Sequence, residues 1–204
     1  MKPFRWLISL CLIFLLGCTT GRTYTVFLRY QPSRTFESLE QKFGSTLGIA
    51  PFKDQRPDTL HIGRHIPLRG VSQYFKNDPF PLEKAIRDSL SRALSPYGIK
   101  TISVSDWDGK PDSLRKIETD SILMIEIKRF WIEGKALPFR TQARTWVHLM
   151  IHLGVKREGK VFTKNVEVEK EVTFPRLTLE RVEQQVNKIL MDILDGFLSN
   201  PYET

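Results

Sequence analysis

"TQARTWVHLMIHLGV", residues 141–155, is the stretch on which the fold turns. Its odd positions Ala143, Val147, Leu149, Ile151, Leu153 and Val155 are apolar, whereas its even positions Arg144, Trp146, His148, Met150 and His152 are mixed. Successive side chains of a strand point to opposite faces, so this period of two describes one long strand whose two faces differ in chemistry. Arg157-Glu158-Gly159-Lys160 then turns the chain into residues 161–174, whose odd positions Asn165, Glu167, Glu169 and Glu171 are polar. The pair reads as a hairpin with one wet face. Upstream, "SILMIEIKRFWIE" (residues 121–133) supplies another strand.

The remaining elements fit around that sheet. Residues 24–30, "YTVFLRY", carry strand-forming residues, and "FESLEQKF" (36–43) is a candidate short helix. A short strand at 46–52, "TLGIAPF", runs into the turn cluster "KDQRPD". Residues 54–78 hold two prolines, two glycines and little periodicity, which describes a long functional or mobile loop, or one that hides a hairpin. Residues 80–96 predict a helix capped by Asn77 or Asp78, with Pro81 in the first turn. Its apolar face is Leu82, Ala85, Ile86, Ser89, Leu90, Ala93 and Leu94, and Gly98 sits where a left-handed residue ends it. A strand at 99–104 would complete a right-handed βαβ unit. A final helix over 178–198 has the stripe Leu179, Val182, Val186, Ile189, Leu190, Ile193 and Phe197. The expected fold is α+β: a mixed, mostly antiparallel sheet of four to five strands with two amphipathic helices on one face.

At the N-terminal end, Lys2 and Arg5 precede an apolar run, Trp6 to Leu16, that is too short to span a bilayer comfortably and has the length of a signal-peptide core. Leu15-Leu16-Gly17-Cys18 follows and resembles the lipobox of bacterial lipoproteins, with a bulkier residue at 16 than is usual. That resemblance implies removal of residues 1–17 and acylation of Cys18, and Thr19 rather than Asp implies the outer membrane. Each buried methylene is worth about 0.8 kcal/mol, so two or three acyl chains hold a protein stably at a bilayer. Cys11 would leave with the leader and Cys18 would carry lipid; with only two cysteines in the chain, the mature domain must be held by its core rather than by disulfides. Removing 17 of 204 residues leaves 187, enough for one domain, read as a tether over 18–23 and a domain over 24–200 with its core in 46–198. Losing Lys2 and Arg5 lowers the formal charge from +8 to +6. The basic residues are dispersed among acids with no Lys/Arg block, a pattern that argues against nucleic acid and for a mixed solvated surface, with weak attraction to anionic headgroups or envelope polymers as the alternative.

With the lipobox, "IAPFKDQRPD…HIG", the helix "LEKAIRDSLSRALSPYGIK", the strand "ILMIEIKRFWIEG", the "GK" hairpin and the closing helix, residues 46–198 resemble YajG-like bacterial lipoproteins. More distantly they resemble the α/β domain of TolB-like and ABC-transport-auxiliary lipoproteins. That resemblance implies no catalytic residues and no cofactor.

The candidate sites follow from residue type and spacing. His61/His65 and His148/His152 are each four apart, but the second pair lies in a strand, where four residues span about 13 Å, too far for one metal. The first pair flanks a glycine and lacks the glutamate of a zincin motif. Asp54 and Arg56 form either a turn, with Asp54 bonded to nearby amides, or a ligand-binding ion pair. Glu126 and Glu133 alternate along a strand, with nothing to show that they converge. Phe130, Trp131, Arg140, Arg144, Trp146 and Met150 place aromatic and cationic side chains, types that dominate binding interfaces, opposite the helices. Either that face meets a protein, lipid or glycan partner, or residues 24–45 fold across it. The function expected is that of an outer-membrane-anchored, periplasm-facing, non-enzymatic accessory or assembly factor with a protein partner. The alternatives are a lipoprotein subunit of an ABC-type lipid transporter and an envelope hydrolase.

Overall fold

A computed structural model of the chain describes residues 21–202. The leader, the lipobox and Cys18 lie outside the described residues.

The 141–155 stretch lies within β8 (Arg140–Val155), and every one of the six apolar odd positions named above is buried. β8 pairs antiparallel along its whole length with β7 (Ser121–Leu137) on one side and with β9 (Lys160–Phe174) on the other. Gly159 makes the second turn at φ 62°, a left-handed conformation that glycine adopts without cost. The odd positions of β9 from Asn165 to Glu171 are exposed, as the alternation predicts.

The far edge of β7 is shared by three short parallel strands placed end to end: β2 (Thr46–Ile49), β3 (Lys53–Asp54) and β4 (Gly63–Ile66). β5 (Gln73–Asp78) pairs antiparallel with β4, β1 (Thr23–Phe27) pairs parallel with β5, and β6 (Lys100–Ser103) pairs parallel with β2. The sheet therefore has nine strands rather than four to five. The extra strands are two to six residues long, too short for an alternation to register, and β4 and β5 are the hairpin inside the 54–78 loop. The sheet is mixed, with its two longest ladders antiparallel.

Three helices occur among the described residues: α1 (Leu39–Phe43), α2 (Leu82–Leu94) and α3 (Leu179–Ser199). All seven stripe residues of α2 are buried. Its N-cap is Pro81, with no side-chain cap, because Asn77 and Asp78 are spent in β5. A 3-10 turn and Gly98 at φ 75° end it. α3 starts at Thr178, whose hydroxyl accepts from Arg181 N. Its stripe is buried except for Leu179 in the first turn. The stripes of α2 and α3 share one core cluster with Ile125, Ile127, Phe130 and Ile132 of β7 and Val147 to Val155 of β8, so both helices lie on one face of the sheet. Each fully buried Leu or Ile there contributes about 1.5–3 kcal/mol, and this core carries the fold.

Residues 28–45 wrap α3. Tyr30 Oη donates to Asp195 Oδ1 at 2.6 Å, Ser33 N donates to Asp195 Oδ2 at 3.0 Å, and Phe43 packs on Phe197. Burial, then the bond to Asp195, pushes the Tyr30 phenol far above its ordinary range. Glu183 and Asn187 of α3 bond Phe27 N, Arg29 N and Phe27 O, so helix side chains satisfy the open edge of β1.

Candidate functional site

The face of the β7–β8–β9 sheet turned away from the helices is built in cross-strand rows. Trp131 faces Trp146, which faces Glu169; Glu133 faces Arg144, which faces Glu171; Arg129 faces His148, which faces Glu167; Glu126 faces Met150, which faces Asn165. Residues 24–45 do not cross this face, because they are committed to α3 on the other side. One end is capped: Trp107, Leu114 and Ile117, from the segment after β6, pack on Ile122 and Met124 of β7 in a second, smaller core. The aromatic middle of the face is not part of either core.

Trp146 is its centre. The guanidinium carbon of Arg129 lies 4.4 Å from the Trp146 ring centroid and that of Arg144 lies 5.2 Å from it. Arg144 also pairs with Glu169 across the strands. Two cations on one indole hold the ring in place. Beside this cluster, Pro57, Asp58, Lys128, Arg129 and Trp131 line a depression of about 300 Å³.

The predicted residues separate into three groups. Trp131, Arg144, Trp146 and Met150 are brought together on the open face. Arg140 points to a different place: it lies at the β7–β8 turn, six residues from Trp146, or about 20 Å along the strand. Phe130 is not on the face at all; it is 1% exposed and belongs to the helix-side core. The reason is a β-bulge. Ile127 pairs with Leu149 and Arg129 with His148, so Lys128 is an extra residue that flips the alternation. The same slip puts Arg129 on the open face, where sequence reasoning did not place it. The available signal was two consecutive cations followed by two consecutive aromatics, "KRFW", inside an otherwise alternating strand.

Asp54 and Arg56 form an internal clamp. Arg56 Nε and Nη2 bond the two carboxylate oxygens of Asp54 at 2.9 and 2.7 Å, and Arg56 Nη1 bonds the His61 carbonyl at 2.8 Å. Arg56 N also donates to Asp54 Oδ1, so the turn and the ion pair coexist. The guanidinium is 3% exposed with its donors directed at protein atoms, which leaves it little capacity for a ligand. Its role is to fix residues 55–62 as a wall of the depression.

Glu126 and Glu133 do not converge. Glu126 meets Lys128 at 2.7 Å and Glu133 meets Arg64 at 2.7 Å. The Lys128 hydrogen bond outweighs partial burial and holds the Glu126 carboxyl below its ordinary range. Burial pushes His152 down, so it is neutral near pH 7, and its Nε2, 3.9 Å from Glu126, makes no hydrogen bond. His148 and His152 bond different residues of β9, Asn165 and Thr163. His61 bonds Asp58 and His65 approaches Gln73. Among the described residues no group of three or more His, Cys, Asp or Glu is placed to hold a metal ion. No helix among them is long and apolar enough to cross a membrane.

No family model matches the sequence, and no curated protein matches it. A solved structure does share its fold. Protein XCC0632 from Xanthomonas campestris, of the DUF330 family, is similar with a TM-score of 0.58 at 16% identity, over 89% of this chain and 95% of that one. At that identity the likeness is one of fold, a mixed sheet with few helices. Looser likenesses are to lipoprotein GNA1162 from Neisseria meningitidis (TM-score 0.40, 12% identity, 74% and 98% of the two chains) and to the LpoB C-terminal domain from Salmonella enterica (0.29, 9%, 69% and 89%).

Proposed function

We propose that the protein is a non-enzymatic, YajG-like lipoprotein of the bacterial outer membrane, acylated at Cys18, that recognises an envelope protein through the Trp131–Trp146 face of its sheet. The observation that carries this reading is the cluster of Trp131, Trp146, Arg129 and Arg144, whose half-buried rings belong to neither core, set on the two longest strands of the molecule. Rigid aromatics braced by arginines bury area on binding at little entropic cost, and such residues dominate binding hot spots. Acylation adds the second half of the mechanism: it confines the domain to a surface and raises its effective concentration for a partner there. The lipobox and its threonine at 19 support the address.

The test is affinity capture from solubilised envelopes with the full-length protein and its Trp131→Ser/Trp146→Ser form. One stoichiometric partner with the parent and none with the variant agrees with the proposal. Equal recovery with both contradicts it. Turnover of muropeptides or phospholipids by the purified protein would favour a hydrolase instead.

A further inference from the structure

Four separate segments meet at one end of the sheet. β4 ends where β7 ends, since Ile66 pairs with Lys135, so the β4–β5 turn (residues 67–72) lies beside the β7–β8 turn at Pro138 and Phe139. β9 ends there as well, with Phe174 opposite Thr141, so the link into α3 (residues 175–178) lies at the same end. The fourth is the N-terminal end of the described chain. Tyr74 N bonds Arg22 O, and Gly21 packs against Ser72 and Val71.

Apolar and basic side chains dominate this end, with Glu180 after Leu179 as the adjoining acid. Phe139 is fully exposed, Leu68 is 62% exposed, and Val71 and Leu179 are also exposed. Each segment adds one exposed arginine: Arg22, Arg69, Arg140 and Arg176. The segments 21–22, 67–72, 137–140 and 175–178 contain no Asp or Glu. None of the four arginines forms an ion pair among the described residues. Phe139 also occupies a backbone conformation that the fold itself does not favour for it. It is the second residue of a two-residue turn after a proline, at φ 64°, where glycine is ordinarily wanted. A bulky ring held in a left-handed conformation and directed wholly into solvent gains nothing from its own protein.

We propose that this end docks on an anionic phospholipid bilayer, with Phe139 and Leu68 entering the interfacial layer and the four arginines meeting lipid phosphates. Apolar tips interleaved with cations match the chemistry of that layer, where each basic residue near an anionic surface contributes about fivefold in partition. The inference rests on the reading that Cys18 is acylated. Cys18 precedes Gly21 by three residues, no more than about 11 Å of extended chain, so the lipid would enter the bilayer beside these tips. The sheet would then stand on the membrane, with Trp131 roughly 25 Å above it.

The experiment uses the acylated protein reconstituted in vesicles of phosphatidylethanolamine and phosphatidylglycerol, and in phosphatidylcholine vesicles for comparison. With Cys18 acylated and Cys11 gone, the protein has no thiol of its own. A spin label is placed at Phe139→Cys or at Ile102→Cys, which is exposed on β6 about 50 Å away. On anionic vesicles the label at 139 should be relaxed severalfold more by oxygen than by a water-soluble nickel chelate, and the label at 102 should show the reverse. The contrast at 139 should shrink on phosphatidylcholine. A protein that floats with the vesicles while both labels behave as water-exposed overturns the docking surface and leaves the anchor standing. A protein that does not float overturns the anchor and the docking together. As a second variant, Phe139→Gly relieves the turn, so it should melt no lower than the parent, yet a label at Leu68→Cys in that background should sit shallower. Unchanged depth there contradicts the role of Phe139.

Discussion

Replacing Arg56 with alanine removes the clamp on residues 55–62. Its guanidinium is 3% exposed and bonds both oxygens of Asp54, the carbonyls of His61 and Thr59, and, at 3.4 Å, that of Phe130 at the bulge. Alanine leaves the Asp54 carboxylate, itself 14% exposed, without its cation and leaves these carbonyls without a donor. Removing one partner of a buried pair costs about 3–5 kcal/mol, much of it the desolvation of the stranded charge. In a domain of this size each kcal/mol lowers Tm by roughly 2–4 °C, so calorimetry should show a fall of about 6–20 °C. The companion Asp54→Asn/Arg56→Met, which discards both charges, should recover part of that loss, because an uncharged pair of similar volume is often close to neutral. A double-mutant cycle in urea reads the coupling. A loss below about 1 kcal/mol for Arg56→Ala, or single effects that simply add, would refute the clamp.

Other outcomes follow from the same contacts. Tyr30 keeps its proton well above the unfolded value of about 10, so its contribution is complete below that pH and is lost as pH rises beyond it. The urea midpoint should therefore fall above pH 10, and Tyr30→Phe should flatten that fall; an unaltered slope contradicts it. Gly63→Ala would set a methyl 2.1 Å from the Ile132 carbonyl oxygen, which is backbone and cannot yield. That variant should lose more than about 3 kcal/mol in urea unfolding, and a near-neutral result would show that β4 does not lie on β7 as described. Phe139→Gly should raise stability by about 1 kcal/mol, since glycine adopts a left-handed turn freely, and a lower Tm would contradict the strain argument. Trp131→Ser/Trp146→Ser should lower Tm by only a few degrees and leave the fold intact, because both rings are half-buried and lie outside the two cores; loss of the folding transition would contradict that placement.

The long elements were legible because their periods run for many residues. Leu149, Ile151 and Leu153 declare the inner face of β8, and Leu82 through Leu94 declare the inner face of α2. Short strands leave no such trace: β3 is two residues, and β4 reads "GRHI", which alternates nothing. Their pairing is decided by the unpaired edge of β7, a tertiary fact. The site was half legible for a similar reason. Trp146 and Arg144 follow from the β8 alternation, but one inserted residue, Lys128, reverses the phase of β7, burying Phe130 and exposing Arg129. The destination of residues 24–45 depended on Asp195 and Asn187, 150 and more positions away, which no local pattern announces.

A photo-crosslinking residue at Met150, on the open face, and another at Lys84, on the outer side of α2, address the central claim in living cells. One discrete adduct at 150, absent at 84 and lost when Cys18→Ser removes the acylation site, is the predicted result. Adducts at 84 but not 150, or a complex at 150 that survives without acylation, would contradict it.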